Sequence, residues 1–224
     1  MTDRYTARAL AFVTATLLAL PGASMADSES WTGTFQDDDQ RFVLDFTLAA
    51  GGALGAQTLS YAGGVDADGQ VVADGGFAPV LALYDLATHD LVQLAIGSTS
   101  ACATSPASAS SGFAWDACFA VVLPAGAYEL VLTQDDNTPL GGNLADGYTH
   151  AGDPRYTAAY VGGDPDDLSL PGFYQVDGTQ RTGGWAFDLS GAFAAAVPEP
   201  GAGSLLLAGA LMLALRARRR RTPR

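Results

Sequence analysis

Arg41-Phe42-Val43-Leu44-Asp45-Phe46-Thr47-Leu48 decides the fold class. Apolar side chains fall at every second position, so Phe42, Leu44, Phe46 and Leu48 share one face of an extended strand. Similar short runs recur downstream. Gln57 to Tyr61 reads as a second strand that ends at Gly63-Gly64. Pro79 to Asp85 (PVLALYD) is a third, and Leu91 to Ile96 a fourth after a turn at Ala87-Thr88-His89-Asp90. Cys118 to Leu123 (CFAVVL) is a fifth. Pro124-Ala125-Gly126 then turns the chain into Tyr128 to Gln134, where Tyr128, Leu130 and Leu132 share a face. Arg155 to Val161 reads as a weaker strand, Trp185 to Leu189 as the last, and Trp31 to Phe35 as a pairing segment at the front edge. Gly and Asp punctuate the gaps, and no stretch of the body carries a convincing amphipathic helix. Short strands at this spacing predict one all-β domain, a β-sandwich or jelly roll, over residues 27–196.

That body is strongly acidic. Between residues 27 and 196 there are 22 Asp and Glu against three arginines, Arg41, Arg155 and Arg181, a formal charge of −19, and lysine is absent from the chain. Such a surface repels DNA, RNA and anionic polysaccharide, so no nucleic-acid partner is expected. It suits cations, a salty medium, or solubility alone. Cys102 and Cys118 are the two cysteines, and the segment between them is rich in Ser, Ala and Gly. In an oxidising compartment they are expected to form a disulfide that pins the loop from Thr99 to Trp115.

Both termini speak for export. Arg4 and Arg8 precede an apolar run from Ala9 to Leu20. Pro21-Gly22 breaks it, and Ser24-Met25-Ala26 is a small-x-small cleavage site. Residues 1–26 thus read as a signal peptide handled by the Sec machinery and signal peptidase; a first transmembrane helix is the alternative, and the run is short for one. At the other end Val197-Pro198-Glu199-Pro200 leads into an uncharged run, Gly201 to Leu215, and then Arg216, Arg218, Arg219, Arg220 and Arg221. As a helix that run reaches about 22 Å, short of the ~30 Å bilayer core. Arginine snorkelling and a small mismatch cost make spanning workable. The arginines place the C-terminus in the cytoplasm and the body outside. The other reading, a core helix followed by a basic nucleic-acid-binding tail, fits the terminal arginine block poorly.

Residues 197–224 resemble the PEP-CTERM sorting signal of exported Gram-negative bacterial proteins. The triplet, apolar run and Arg cluster occur in order at the terminus. The resemblance implies recognition by an exosortase-type transpeptidase, an inner-membrane-anchored precursor with its body in the periplasm, processing near the triplet, and delivery to the cell surface or extracellular matrix. The body in turn resembles the pre-peptidase C-terminal domain, a small β-sandwich of secreted bacterial proteins. The matching pieces are Asp37-Asp38-Asp39 before the strand at 42–48, Leu81-Ala82-Leu83-Tyr84-Asp85, and Leu123-Pro124-Ala125-Gly126-Ala127-Tyr128. It is closer to PEP-CTERM surface proteins that add Leu132-Thr133-Gln134-Asp135-Asp136-Asn137, Asn143-Leu144-Ala145-Asp146-Gly147 and Arg181-Thr182-Gly183-Gly184-Trp185-Ala186. That likeness implies a surface or matrix protein and carries over no catalytic residues.

The residues themselves offer little catalysis. His89 and His150 are the only histidines, each in a turn-like segment, and no Gly-x-Ser-x-Gly elbow is present. Calcium is the ligand best suited to the oxygen-rich loops. Asp37-Asp38-Asp39 and Asp164, Asp166, Asp167 are candidates. The stronger set is Asp135, Asp136 and Asn137 with Asn143 and Asp146, where Gly141-Gly142 lets the loop fold back. The competing reading is Asx-turn chemistry, in which these side chains cap their own loops. Asp66-Ala67-Asp68-Gly69 reads as a hairpin turn. Tyr148, Tyr156, Tyr160, Phe173, Tyr174 and Trp185, near Gly-rich loops, are candidates to stack on sugar rings or to fill the core. The expected function is therefore non-enzymatic: an exported surface or matrix protein associated with extracellular polysaccharide. The alternative is a calcium-dependent carbohydrate-binding module.

Overall fold

The computed structural model describes residues 27–99, 102 and 105–193. The expected signal peptide and the whole sorting tail, including Val197, Pro198, Glu199 and Pro200, lie outside the described residues. Among the described residues no helix is long and apolar enough to cross a membrane. Ten strands are present: β1 (Asp27–Thr34), β2 (Phe42–Leu48), β3 (Gly52–Thr58), β4 (Gly64–Val65), β5 (Val71–Val72), β6 (Pro79–Asp85), β7 (Leu91–Ile96), β8 (Cys118–Leu123), β9 (Gly126–Gln134) and β10 (Gly184–Gly191). They pair antiparallel into two four-stranded sheets, ordered β1-β10-β3-β8 and β2-β9-β6-β7, plus the β4–β5 ribbon. The all-β expectation holds.

The deciding stretch behaves as its alternation demands. Phe42, Leu44 and Phe46 are half-buried and Leu48 is buried, while Val43, Asp45 and Thr47 face solvent. Opposite them Leu54 and Ala56 of β3 and Phe187 and Leu189 of β10 point inward from the other sheet, with Leu130 and Leu132 of β9 beside them. Each fully buried Leu or Phe stabilises the fold by about 1.5–3 kcal/mol. Strand β6 is buried on both faces from Pro79 to Tyr84. Its outer side packs into a second cluster where Ala82, Tyr84 and Val131 meet Tyr148 and Leu144 of the 137–150 segment. A strand covered twice has no reason to alternate, and PVLALYD does not.

Two strand expectations are corrected. The second strand is β3, at Gly52–Thr58, rather than Gln57 to Tyr61. Its sequence, GALGAQT, is poor in β-formers, but small residues are what the packing requires. A Cβ at Gly55 would press on Ser190 Oγ of the neighbouring β10. The segment from Arg155 to Val161 is a 3-10 helix, Tyr156–Val161, closed by Gly162 in the left-handed region. Tyr156, Thr157 and Ala158 are buried in succession. The carboxylate of Asp38 takes both the Thr157 N–H, at 3.1 Å, and its hydroxyl, at 2.5 Å. Those bonds occupy a donor that a strand ladder would need.

Buried side chains hold the long connections. The Cys102–Cys118 disulfide is formed, with its Cα atoms 5.7 Å apart. Asp116, fully buried, accepts from Thr58 Oγ1 (2.8 Å), Tyr61 N (3.0 Å) and Ala62 N (2.9 Å), tying the end of the disulfide loop to the exit of β3. Arg181, also buried, donates to the Gly76 carbonyl (2.9 Å), Ser110 Oγ (2.7 Å), Asp74 Oδ1 (3.1 Å) and the Tyr61 carbonyl. Asp74 is held below the usual carboxylate range despite its partial desolvation, because Ser108, Ser110 and Arg181 all favour its charged form.

Candidate functional site

The start of β6, the end of β7 and the end of β9 come together at one end of the second sheet. Gly97 N donates to Pro79 O (2.8 Å), and Pro79 stands opposite Gln134. Over this end lie the disulfide loop, the 3-10 helix and the segment 173–176. Between them is a cavity of about 200 Å³. Trp115, Phe77, Phe173 and Tyr174 supply its aromatic wall, and Gln134, Asp135, Asp136 and Gln175 its polar one.

The polar wall is incompletely satisfied. Gln134 and Gln175 are 4 % and 6 % exposed. Gln134 Oε1 and Gln175 Nε2 are both buried without a hydrogen-bond partner. The Tyr61 hydroxyl donates to Gln175 Oε1 at 3.2 Å, which orients the carboxamide and leaves its N–H₂ end free. Both residues line the cavity, and a buried acceptor and a buried donor left unpaired cost about 1–3 kcal/mol each.

The acids of this wall are set by the backbone. Asp135 N donates to Ala78 O (2.8 Å), continuing the pairing of β9 with the entry to β6. Asp136 then takes a left-handed conformation, φ 69°, which turns the chain out of the strand. The Tyr160 hydroxyl donates to Asp136 Oδ2, and Tyr156 Oη to the Asp135 carbonyl at 2.6 Å. Burial raises the Asp135 carboxyl above its ordinary value; the Ser98 hydroxyl opposes that and the Asp136 charge adds to it. Burial, its bond to Asp136 and the neighbouring negative charges likewise push the Tyr160 hydroxyl far up, so it stays a donor at any physiological pH.

The five residues expected to hold calcium do not form one coordination shell. Asp135 and Asp136 sit at the start of β6. Asn143 bridges to Asp90, beyond the far end of β6, and donates to the Thr88 carbonyl (3.4 Å) and Asp90 Oδ1 (3.3 Å). Strand β6, Pro79–Asp85, separates the two places by about 20 Å. Asn143 and Asp146 form a reciprocal capping box around the 3-10 helix Leu144–Asp146. Asn137 is buried, donating to the Asp39 carbonyl (3.3 Å) and accepting from His150 N (3.1 Å). Among the described residues no group of three or more His, Cys, Asp or Glu could hold a metal ion.

The cluster of Asp164, Asp166 and Asp167 follows the turn-capping reading, whereas Asp37, Asp38 and Asp39 bond segments more than a hundred positions away. Asp164 and Asp167 accept from backbone N–H groups two residues on. Asp37 pairs with Arg155 at 2.6 Å, Asp39 accepts from Gly152 N, and Asp66 caps the β4–β5 turn through Gln70 N. His150 stacks on Tyr156 at 3.9 Å and faces Asp153 at 3.4 Å. Of the aromatic candidates, Tyr160, Phe173 and Tyr174 reach the cavity. Tyr148 and Trp185 pack in the two cores, and Tyr156 is buried beside His150. The sequence reading missed Gln134, Gln175 and Trp115. Gln134 is the last residue of a strand whose inward positions are otherwise apolar, and that is a signal it carried.

Compared with known proteins, the chain matches no family model and no curated sequence.

Proposed function

We propose that this chain is a non-enzymatic exported protein of the cell surface or extracellular matrix, whose sandwich holds one ring of an extracellular polysaccharide in the cavity above Gln134. The observation that carries this reading is the pairing of aromatic faces with open, buried carboxamide atoms. A pyranose ring has an apolar C–H face and a rim of hydroxyls. The first suits Trp115 and Tyr174; the second suits Gln134 Oε1, Gln175 Nε2 and the two carboxylates. At about 200 Å³ the cavity is smaller than the roughly 300–1,000 Å³ that drug-sized ligands fill, so a single ring is the fitting unit. The carboxylates come from adjacent residues, whereas glycoside hydrolysis needs two that flank the bond to be broken. Calcium is not part of this reading.

Export by Sec and signal peptidase, and sorting by an exosortase-type transpeptidase through Val197-Pro198-Glu199-Pro200, complete the proposal. They rest on the tail and leader sequences. The test is glycan-array binding by the purified full-length chain, with and without chelator. Binding is expected in both conditions and is lost in Trp115→Ala; no binding in either condition overturns the proposal. For sorting, alanines at Pro198, Glu199 and Pro200 are expected to leave precursor in the membrane, and unchanged processing removes the exosortase step.

A further inference from the structure

We propose that the ring bound in this cavity carries a free, protonated amine, so that the ligand is a non-acylated amino sugar. The inference rests on the sugar-binding reading above and names its substrate class.

The argument starts from charge. Asp135 and Asp136 line the cavity, and none of the residues around it is cationic. The body has three arginines, and each is engaged elsewhere. Arg41 lies over the Tyr148 ring at 4.9 Å, Arg155 pairs with Asp37, and Arg181 pairs with Asp74. Among the described residues no arginine is therefore left to neutralise this wall. Asp136 has one oxygen bonded by Tyr160. The aromatic residues of the wall, Tyr174 among them, add to the preference, because an aromatic ring attracts an ammonium as well as a C–H face. The raised Asp135 carboxyl fits the same need, since a cation beside it would favour its charged form.

The Gln134 carboxamide oxygen discriminates further. Gln134 Oε1 accepts, and an ammonium has three N–H donors to offer it and the carboxylates. An N-acetylated sugar presents one N–H, no charge, and extra bulk in a cavity of about 200 Å³.

The experiment is calorimetric titration of the full-length chain at ~0.15 M salt with chelator present. Three probes are used: a β-linked glucosamine trimer with free amines, its fully N-acetylated counterpart, and cellotriose. The free-amine trimer is expected to bind about tenfold more tightly than the other two. Asp136→Asn is expected to abolish that preference, bringing the free-amine trimer to the affinity of the uncharged trimers. Asn tolerates the left-handed backbone at this position and still accepts from Tyr160, so the variant retains the turn; an unchanged melting temperature checks it. Asp68→Asn, at an exposed position on the β4–β5 turn, controls for general attraction to an acidic body and is expected to change nothing. Equal binding of all three probes overturns the amine and leaves the sugar site standing. A loss of preference in Asp68→Asn as large as in Asp136→Asn overturns it too, as a surface-charge effect. Binding of none of the three overturns both readings together.

Discussion

The guanidinium of Arg181 lies 4.1 Å from the centre of the Tyr61 ring and also donates to the Tyr61 carbonyl. One residue thus holds Tyr61 by its face and by its backbone. Tyr61 in turn holds Gln175 through its hydroxyl, and Gln175 forms part of the cavity wall. The rigidity of the candidate site is set from two residues away.

Arg181→Met keeps the stem and removes the charge. It strands the Asp74 carboxylate and the Gly76 and Tyr61 carbonyls that Arg181 now serves. Breaking a buried pair by removing one partner costs about 3–5 kcal/mol, and Asp74 is part-exposed, so a loss near the lower end, about 3 kcal/mol, is expected in urea denaturation. Asp74→Asn is expected to cost less, because Arg181 keeps its other acceptors, the Gly76 and Tyr61 carbonyls and the Ser108 and Ser110 hydroxyls. Equal losses would show that the pair, and not the wider network, is what matters.

The pH dependence follows from the buried carboxyls. Asp38, Asp116 and Asp135 are all raised above the ordinary value, in each case by burial first. The folded state therefore holds protons that the unfolded chain has already released, so their contribution is full below about pH 4 and is lost as pH rises through the folded values. Asp74 is lowered, so its contribution acts in the opposite sense and disappears only in stronger acid. Repulsion within an acidic body adds to the first trend. The melting temperature is expected to be highest in acid, at about pH 4, and to fall toward neutrality. High salt should remove the repulsive part of that fall and leave the part due to burial. A melting temperature that rises steadily from pH 4.5 to 7 would contradict this account.

How much of this was legible depends on what each residue answers to. Phe42, Leu44, Phe46 and Leu48 obey a local period because one face of β2 meets solvent, and their strand was read to the residue. Gly55 answers to a neighbour far along the chain, Ser190, so β3 was misplaced. Arg155 to Val161 reads locally as a weaker strand, but Asp38, more than a hundred positions away, claims Thr157 and decides for a 3-10 turn. The site was half visible. Asp135, Asp136, Tyr160, Phe173 and Tyr174 were singled out by type, yet their grouping with Gln134, Gln175 and Trp115 depends on three separate segments meeting at one sheet end. No sequence spacing encodes that meeting.

The disulfide and Asp116 divide the work of holding Trp115. Cys102 and Cys118 close a loop 16 residues apart in sequence, and in the chain-entropy model such closure contributes about 3 kcal/mol, chiefly by constraining the unfolded chain. Replacing both cysteines with serine is therefore expected to lower stability by about that much. It should alter the folded cavity little, because Asp116, the residue next to Trp115, remains clamped by Thr58, Tyr61 and Ala62. Trp115 also keeps its packing against Phe113 at 4.5 Å and Tyr61 at 5.4 Å. Asp116→Ala acts on the folded state instead. It leaves the buried Tyr61 N–H and the part-buried Ala62 N–H without their acceptor and Thr58 with only the Ala117 carbonyl, which costs about 1–3 kcal/mol for each donor left unmet, and it frees the backbone that carries Trp115. The double serine variant should thus keep its sugar affinity within about twofold, well under the 1.4 kcal/mol of a tenfold change, at temperatures where it is folded. Asp116→Ala should lose affinity even then. If the serine variant loses affinity as well, the disulfide and not Asp116 positions the aromatic wall.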